Sequence, residues 1–262
     1  MMTNINENKG VQSIGDNEKN LCKNNAKKHN LFQIISDVLD TTPLQNINEK
    51  KTTLPILLSI MSVESRCDPN TGESGAGAKG LMQLTKIACK QINVSYDSIT
   101  DINENIKAGI LLINFLINAF RSKKTDKTLR EKYINSDFDS RIAWIMLAYN
   151  NGFGGAIKYA QKDKNISETF YYNDFKTFHA FWKSNSDLKT FISNLSNKTT
   201  STKSNNTKSN NTKINNQTQK KSDAEKEAEY DKSIGIESLY EFNNRKISKS
   251  LITRIILNKL LK

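Results

Sequence analysis

The feature that most constrains the fold of this chain is the stretch from Leu54 to Leu84, where an apolar segment leads into one carboxylate and then into a glycine-rich loop. Pro55 is expected in the first turn of a helix here, where its missing N–H has no partner in any case. The apolar residues recur at the i, i+3, i+4 and i+7 spacing of a buried helix face: Leu54, Leu57, Leu58, Ile60 and Met61.

The carboxylate of this stretch is Glu64, which the pattern places in the last turn of the helix. Pro69 disfavours helical geometry at Asp68, so we predict that the helix ends near Arg66 or Cys67. A carboxyl group in such a half-dry setting keeps its proton to higher pH, because desolvation disfavours the anion. Glu64 is therefore a candidate general acid. The alternative is an exposed glutamate at a helix end that contributes only solubility.

Closely spaced glycines follow the carboxylate, at Gly72, Gly75, Gly77 and Gly80. Such density predicts backbone that turns through positive φ or approaches another group closely. A phosphate-binding loop would need a Gly-Lys-Ser/Thr sequence after a strand, and none occurs here. We therefore exclude phosphate binding by this loop.

Four segments in order resemble the signature of soluble lytic transglycosylase domains, a family that shares the goose-type lysozyme fold. Any one of them is weak evidence, but four in the same order and spacing are specific, and they cover roughly Leu54 to Ala160. The segments are Glu64-Ser65 with Asp68-Pro69 and Ser74; Gly77–Leu84, with the sequence GAKGLMQL; Asn105–Gly109, NIKAG; and Ala148–Gly152, AYNNG.

The resemblance implies a mainly α, lysozyme-like domain that cleaves peptidoglycan glycan strands without a cofactor or a metal. In the implied mechanism, Glu64 protonates the glycosidic oxygen between N-acetylmuramic acid and N-acetylglucosamine. Glu64 then takes the proton from the sugar's own 6-hydroxyl, which attacks the anomeric carbon and closes a 1,6-anhydro ring. Because nucleophile and electrophile are tethered, effective molarities of order 10⁵ M or higher are accessible. The second carboxylate of most glycoside hydrolases is not required.

Residues that match the family's motifs are expected to bind the sugar or to orient the acid. Ser65 and Ser74 would hydrogen-bond around the Glu64 carboxyl or the substrate's acetamido group. Gln83 and Tyr149 would orient the sugar and the carboxyl, and the other positions would line the groove. For Ser65, Asn150 and Gly80, helix capping and turn formation are equally good explanations. The full set of expected binding positions is Ser65, Ser74, Gly80, Leu81, Met82, Gln83, Tyr149 and Asn150.

Three other functions remain open. A hydrolase of the goose-lysozyme type would use Glu73 or Asp68 to position a water, and its products would lack the anhydro ends of a transglycosylase. An inactive wall-binding protein is disfavoured by the retention of Glu64 with Gln83 and Tyr149. A nucleic-acid binder would account for the net charge of +12, but the charge lies mostly in polar segments without a recognisable module.

The chain divides into four parts by composition. We predict a disordered tail over residues 1–29, the lysozyme-like domain over 30–195, a low-complexity linker over 196–222 and a basic helical segment over 223–262. The linker contains a polar KSNNT repeat that buries too little surface to offset chain entropy. The last segment is expected to dock on an envelope or secretion-machine partner or to tether the protein to the cell wall. A membrane-surface helix fits less well, because Lys249 and Lys259 fall inside its apolar arc.

Within the domain, hydrophobic periodicity predicts a series of helices. The aromatic residues beyond Tyr159 are assigned mostly to the core, with a wall of the sugar groove as the alternative. The predicted elements are helices at Leu31–Leu39, Leu81–Ile92, Asn105–Phe120 and Ile142–Tyr149, an exposed excursion at Arg121–Asp139 and a turn at Asn150–Gly155.

The remaining observations bear on location and redox state. Cys22, Cys67 and Cys89 show no metal-ligand spacing, so free thiols are expected, with a Cys67–Cys89 pair as the alternative. The first thirty residues lack the apolar run of a signal peptide, and no window is apolar enough to span a membrane. Action in the bacterial envelope or outside the cell therefore requires a phage-type release, a specialised secretion machine or a different start codon.

Overall fold

The computed structural model describes residues 14–203, apart from residues 48, 163–164 and 167–168. This part is helical throughout, apart from connecting turns and one antiparallel bridge between Lys79 and Leu84. The predicted mainly α, lysozyme-like fold is confirmed. The helices are α1 (Asp16–Lys28), α2 (Leu31–Thr41), α3 (Lys50–Ser65), α4 (Lys86–Gln91), a short 3-10 helix (Ser98–Thr100), α5 (Ile102–Arg121), α6 (Lys127–Ile134), α7 (Phe138–Gln161), α8 (Phe170–Ser184) and α9 (Ser186–Lys203).

Helix α3 lies in the middle of the core, and it is buried along nearly its whole length. It packs against α8 on one side and α2 on the other, while α5 packs against α2, α6 and α7. The helix starts at Lys50, so Pro55 lies in its second turn and not in the first turn as predicted. An interior proline leaves one helical carbonyl without its donor.

Helix α1 contradicts the predicted disordered tail over residues 1–29. Its Cys22 and Ala26 are buried in the core, and its Asn25 Nδ2 donates to the Arg66 carbonyl at 3.0 Å. Little in the sequence pointed to this helix, because two small buried residues do not produce a clear apolar stripe. At the other end, α9 continues to Lys203, past the predicted domain boundary at residue 195.

Two further elements differ from prediction. The helix expected over Leu81–Ile92 begins only at Lys86, and its Ile87 is 61% exposed. The excursion expected over Arg121–Asp139 contains α6, whose Tyr133 is buried and stacks on Phe120 with 4.6 Å between ring centroids. Helix α6 was missed because only Leu129 and Tyr133 are buried in an otherwise polar segment.

Helix α7 carries the turn predicted over Asn150–Gly155, but as a single break. Gly152 has φ +71° and ψ 161°, and the helix resumes directly after it. The prediction that the later aromatics form the core is confirmed for four of them, all on α8: Tyr172, Phe175, Phe178 and Trp182.

The tail before residue 14 and the predicted linker and basic segment after residue 203 lie outside the described residues. Among the residues that are described, no helix has the length and apolar character needed to cross a membrane.

Candidate active site

Glu64 occupies the last turn of α3, as predicted. The helix ends at Ser65, and Arg66 follows in the left-handed conformation with φ +54°. The Glu64 side chain is partly buried, and its Oε1 accepts a hydrogen bond of 2.5 Å from the Tyr171 hydroxyl at the start of α8. Burial raises the pKa of the Glu64 carboxyl to about 7, and the hydrogen bond from Tyr171 opposes that rise only in part. Glu64 can therefore hold or release a proton near neutral pH.

Two tyrosine hydroxyls lie close to this carboxyl. Burial, followed by the negative charge of Glu64, raises the pKa of Tyr171 and of Tyr149 well above the ordinary value. Both phenols therefore stay protonated and act as hydrogen-bond donors. Tyr171 donates to Glu64, whereas Tyr149 donates to the carbonyl of Met82 at 2.7 Å.

A tight turn, Gly80–Gln83, lies against the same cluster. Its ends are joined by two backbone hydrogen bonds between Lys79 and Leu84, of 3.1 and 3.0 Å. Gly80 and Gln83 adopt positive φ values of +72° and +44°, and the Gln83 Nε2 donates to the Gly80 carbonyl at 3.0 Å. These dihedrals end any helix at this point. The predicted helix therefore starts later, where the Thr85 hydroxyl accepts from the Ala88 N–H at 3.2 Å as an N-cap.

Three buried or partly buried side chains hold this turn in place. The Ser65 hydroxyl donates to the Leu81 carbonyl at 2.8 Å, and the Tyr149 hydroxyl to the Met82 carbonyl. Asn105, on α5, accepts from the Met82 N–H at 2.9 Å and donates to the carbonyl of Lys79 at 3.1 Å. The turn is thus attached to α3, α5 and α7 at once.

Two glycines permit this close packing. A Cβ atom on Gly80 would lie 2.3 Å from the Asn105 Nδ2, and a Cβ on Gly109 would lie 2.0 Å from the Met82 Sδ. Both distances are far below van der Waals contact. The NIKAG segment of α5 therefore serves as a surface on which the turn rests.

A comparison with known protein families matches the part of the chain that contains this arrangement. The Transglycosylase SLT domain matches residues 42–171, a range that begins before α3 and ends at Tyr171. This part of the chain is a transglycosylase SLT domain. Comparisons with curated proteins and with solved structures gave no match. The resemblance read from the four sequence segments is thereby confirmed at the level of the family.

The SLT domain brings some of the predicted binding residues together around Glu64 and leaves others apart. Ser65 bonds the turn and not the Glu64 carboxyl. The exposed Ser74 hydroxyl accepts from the Ala78 N–H at 3.0 Å and so shapes its own loop. Asn150 is exposed beside the break in α7. Their roles in sugar binding stay predictions.

Sequence reasoning missed the direct partner of Glu64 in the SLT domain. Tyr171 was placed among aromatics assigned mostly to the core, and nothing local distinguishes it from its neighbour Tyr172, which is buried in the core. Asn105 and Gly109 were recognised as part of a family segment, without a role. A buried asparagine inside a nearly continuous apolar helix was the available signal, because such a residue needs hydrogen-bond partners.

Across the residues that the structure describes, no cluster of three or more His, Cys, Asp or Glu side chains is arranged to hold a metal ion.

Proposed function

We propose that this SLT domain is a peptidoglycan lytic transglycosylase in which Glu64 serves as both general acid and general base. The family supports action on peptidoglycan. The observation that carries the finer proposal is a partly buried carboxyl with a pKa of about 7 and one oxygen held by a tyrosine hydroxyl. A pKa near the working pH suits a group that must give and then take a proton.

The hydrogen bond from Tyr171 gives the two carboxyl oxygens of Glu64 different roles. Oε1 accepts from the Tyr171 hydroxyl, so the acidic proton of Glu64 resides on Oε2. Oε2 donates this proton to the glycosidic oxygen as the bond breaks. The resulting carboxylate, stabilised by the same tyrosine, then accepts the proton of the 6-hydroxyl as the anhydro ring closes.

The carboxylates that a hydrolase would use to hold water are engaged elsewhere. Glu73 pairs with Lys79 at 3.3 Å and accepts from the Tyr96 hydroxyl at 3.2 Å. The Asp68 Oδ1 accepts from the Asn70 N–H at 2.9 Å. Neither is among the groups that shift the pKa of Glu64. This supports single-carboxylate chemistry over water activation by a second acid.

The Gly80–Gln83 turn is proposed as one wall of the sugar groove. Its backbone is fixed by Ser65, Asn105 and Tyr149 before any substrate arrives, and preorganised backbone groups orient a substrate without further loss of entropy. Ser74, Gln83 and Asn150 are proposed to contact the sugars from the loops around this wall. Glycan strands are the partner, and the bacterial envelope or its outer side is the place of action.

Product analysis tests the reaction. Purified peptidoglycan is digested with the wild-type protein, Glu64→Gln and Glu73→Gln, and the released muropeptides are analysed by mass spectrometry. We expect 1,6-anhydro ends from the wild type and from Glu73→Gln, and no release by Glu64→Gln. Reducing ends from the wild type, lost in Glu73→Gln, would establish the hydrolase instead.

A further inference from the structure

Two cysteines that the catalytic proposal does not use are buried on facing elements. Cys22 lies on α1, and Cys67 lies directly after α3, three residues beyond Glu64; both are 0% exposed. The third cysteine, Cys89, is buried on α4. The sequence suggested Cys67 and Cys89 as the alternative pair, but the fold places Cys67 against α1.

The contacts around Arg66 show which face of α1 meets the turn after Glu64. Glu18, one turn before Cys22, accepts from the Arg66 guanidinium at 3.0 Å. Asn25, nearly one turn after Cys22, donates to the Arg66 carbonyl at 3.0 Å. Residues spaced three and four apart share one helix face, so Cys22 points at the turn that carries Cys67.

The two thiols also interact electrostatically. The pKa of the Cys22 thiol is lowered, chiefly by a hydrogen bond from Cys67, while burial raises the pKa of Cys67. The Ser62 hydroxyl lies 3.4 Å from the Cys67 sulfur. Burial raises the pKa of the Cys89 thiol and a hydrogen bond with its own backbone opposes that rise, with no other cysteine involved.

We propose that Cys22 and Cys67 close into a disulfide that fastens α1 to the turn following the catalytic glutamate. The turn is a place where a covalent link matters, because Arg66 and Cys67 both have positive φ, +54° and +58°, without being glycine. Such backbone persists only when its surroundings hold it. In the reduced protein, α1 contacts this turn through Glu18, Asn25 and the buried thiol of Cys22.

The bond forms by thiol–disulfide exchange with a small disulfide such as oxidised glutathione. The Cys22 thiolate attacks one glutathione sulfur, which yields a mixed disulfide and releases one glutathione thiolate. The Cys67 thiolate then attacks the Cys22 sulfur, forms the protein S–S bond and releases the second glutathione. The two protons of the protein thiols end on the two glutathione molecules, and the protein loses the two electrons that the small disulfide gains.

Burial sets the order of events. Neither sulfur is accessible in the folded domain, so exchange takes place before α1 packs against the core, and the finished bond is then protected from reduction. The link closes a loop of roughly 45 residues, for which the chain-entropy model predicts a substantial stabilisation. For a domain of this size we expect a rise of roughly 10 °C in the melting temperature.

The test is to unfold and reduce the full chain, refold it with oxidised and reduced glutathione, alkylate the remaining thiols and map the tryptic peptides. The expected product is a linked pair formed by NLCK, residues 20–23, and CDPNTGESGAGAK, residues 67–79. Cys89, in the peptide IACK, should be alkylated instead. Peptide mapping of the wild type needs no variant, so it does not depend on a mutant that folds.

The matched variants are Cys22→Ser and Cys67→Ser, with Cys89→Ser as the control. The control should gain the linked peptides and the higher melting temperature, as the wild type does. The two other variants should show the same melting temperature with and without the oxidant. Absence of the 20–23 to 67–79 pair, a link through Cys89, or an unchanged melting temperature of the linked wild type would each overturn the proposal. Loss of glycan cleavage is not part of this test, so it stands apart from the proposed function.

Discussion

Replacing Glu64 by glutamine tests the buried carboxyl through stability as well as through activity. Glutamine has the shape of a protonated glutamate, and its oxygen can still accept the hydrogen bond from Tyr171. The two side chains differ in that glutamine never ionises. Any pH-dependent difference in stability between variant and wild type therefore reports the cost of a charge at this position.

The size of the difference follows from the pKa of the carboxyl. Burial raises the pKa of Glu64 from its ordinary 4.5 to about 7, so the favourable contribution of the protonated form is complete below pH 4.5 and is lost as the pH rises through 7. Each pH unit between 4.5 and about 7 is worth about 1.4 kcal/mol, which gives an upper bound of about 3.5 kcal/mol. Because the side chain keeps some contact with solvent, we expect about 2 to 3 kcal/mol.

The assay is urea unfolding followed by circular dichroism between pH 4.5 and 8.5. The free energy of unfolding of Glu64→Gln minus that of the wild type should increase by this amount as the pH rises to about 7, and then stay level. Glu73→Gln, which removes an exposed carboxylate, measures the general effect of losing one negative charge. Parallel pH profiles for wild type and Glu64→Gln would refute the raised pKa and with it the assignment of Glu64 as the acid.

Three further substitutions test the surroundings of the acid. Tyr171→Phe removes the hydrogen-bond donor that lowers the pKa of Glu64, so the pH above which cleavage declines should move upwards. The rate of cleavage at pH 7 should fall roughly 10- to 100-fold. An unchanged pH–rate profile would contradict this prediction. Asn105→Ala removes the hydrogen-bond partner of three backbone groups and should lower the free energy of unfolding by at least about 3 kcal/mol in urea titrations. A loss below about 1 kcal/mol would show that the turn keeps its conformation without Asn105. Gly109→Ala sets a methyl group against Met82 and should cost about 1–3 kcal/mol and slow cleavage; activity equal to wild type would show that the turn can shift freely.

The sequence was sufficient for the part of the site that depends on local chemistry. The apolar period of α3 and the proline at position 69 together predicted that Glu64 ends a buried helix, and the structure confirms it. Desolvation at such a position was enough to predict the direction of the pKa shift. The long apolar run of α5 likewise predicted a central helix, because a helix that is apolar on most sides has to be buried.

The sequence was not sufficient where function depends on residues distant along the chain. Tyr171 and Glu64 are 107 residues apart, and their contact follows from how α8 crosses the end of α3. Helix α1 was missed because it contributes few buried side chains, and because its contacts with Arg66, made by Glu18 and Asn25, follow no local sequence pattern. The left-handed backbone at Gln83 was missed because glutamine has no preference for positive φ.

The family segments acquire a common explanation once the hydrogen bonds are traced. Ser65 follows the acid, Asn105 begins the NIKAG segment and Tyr149 belongs to the AYNNG segment, yet all three bond the backbone of one short turn. Because the turn is tied to three separate helices, we expect a change in any of them to displace the proposed groove wall relative to Glu64. The three segments thus share one structural role, since each fixes one side of the same turn, and we expect the proposed acid to be effective only while that turn stays in place.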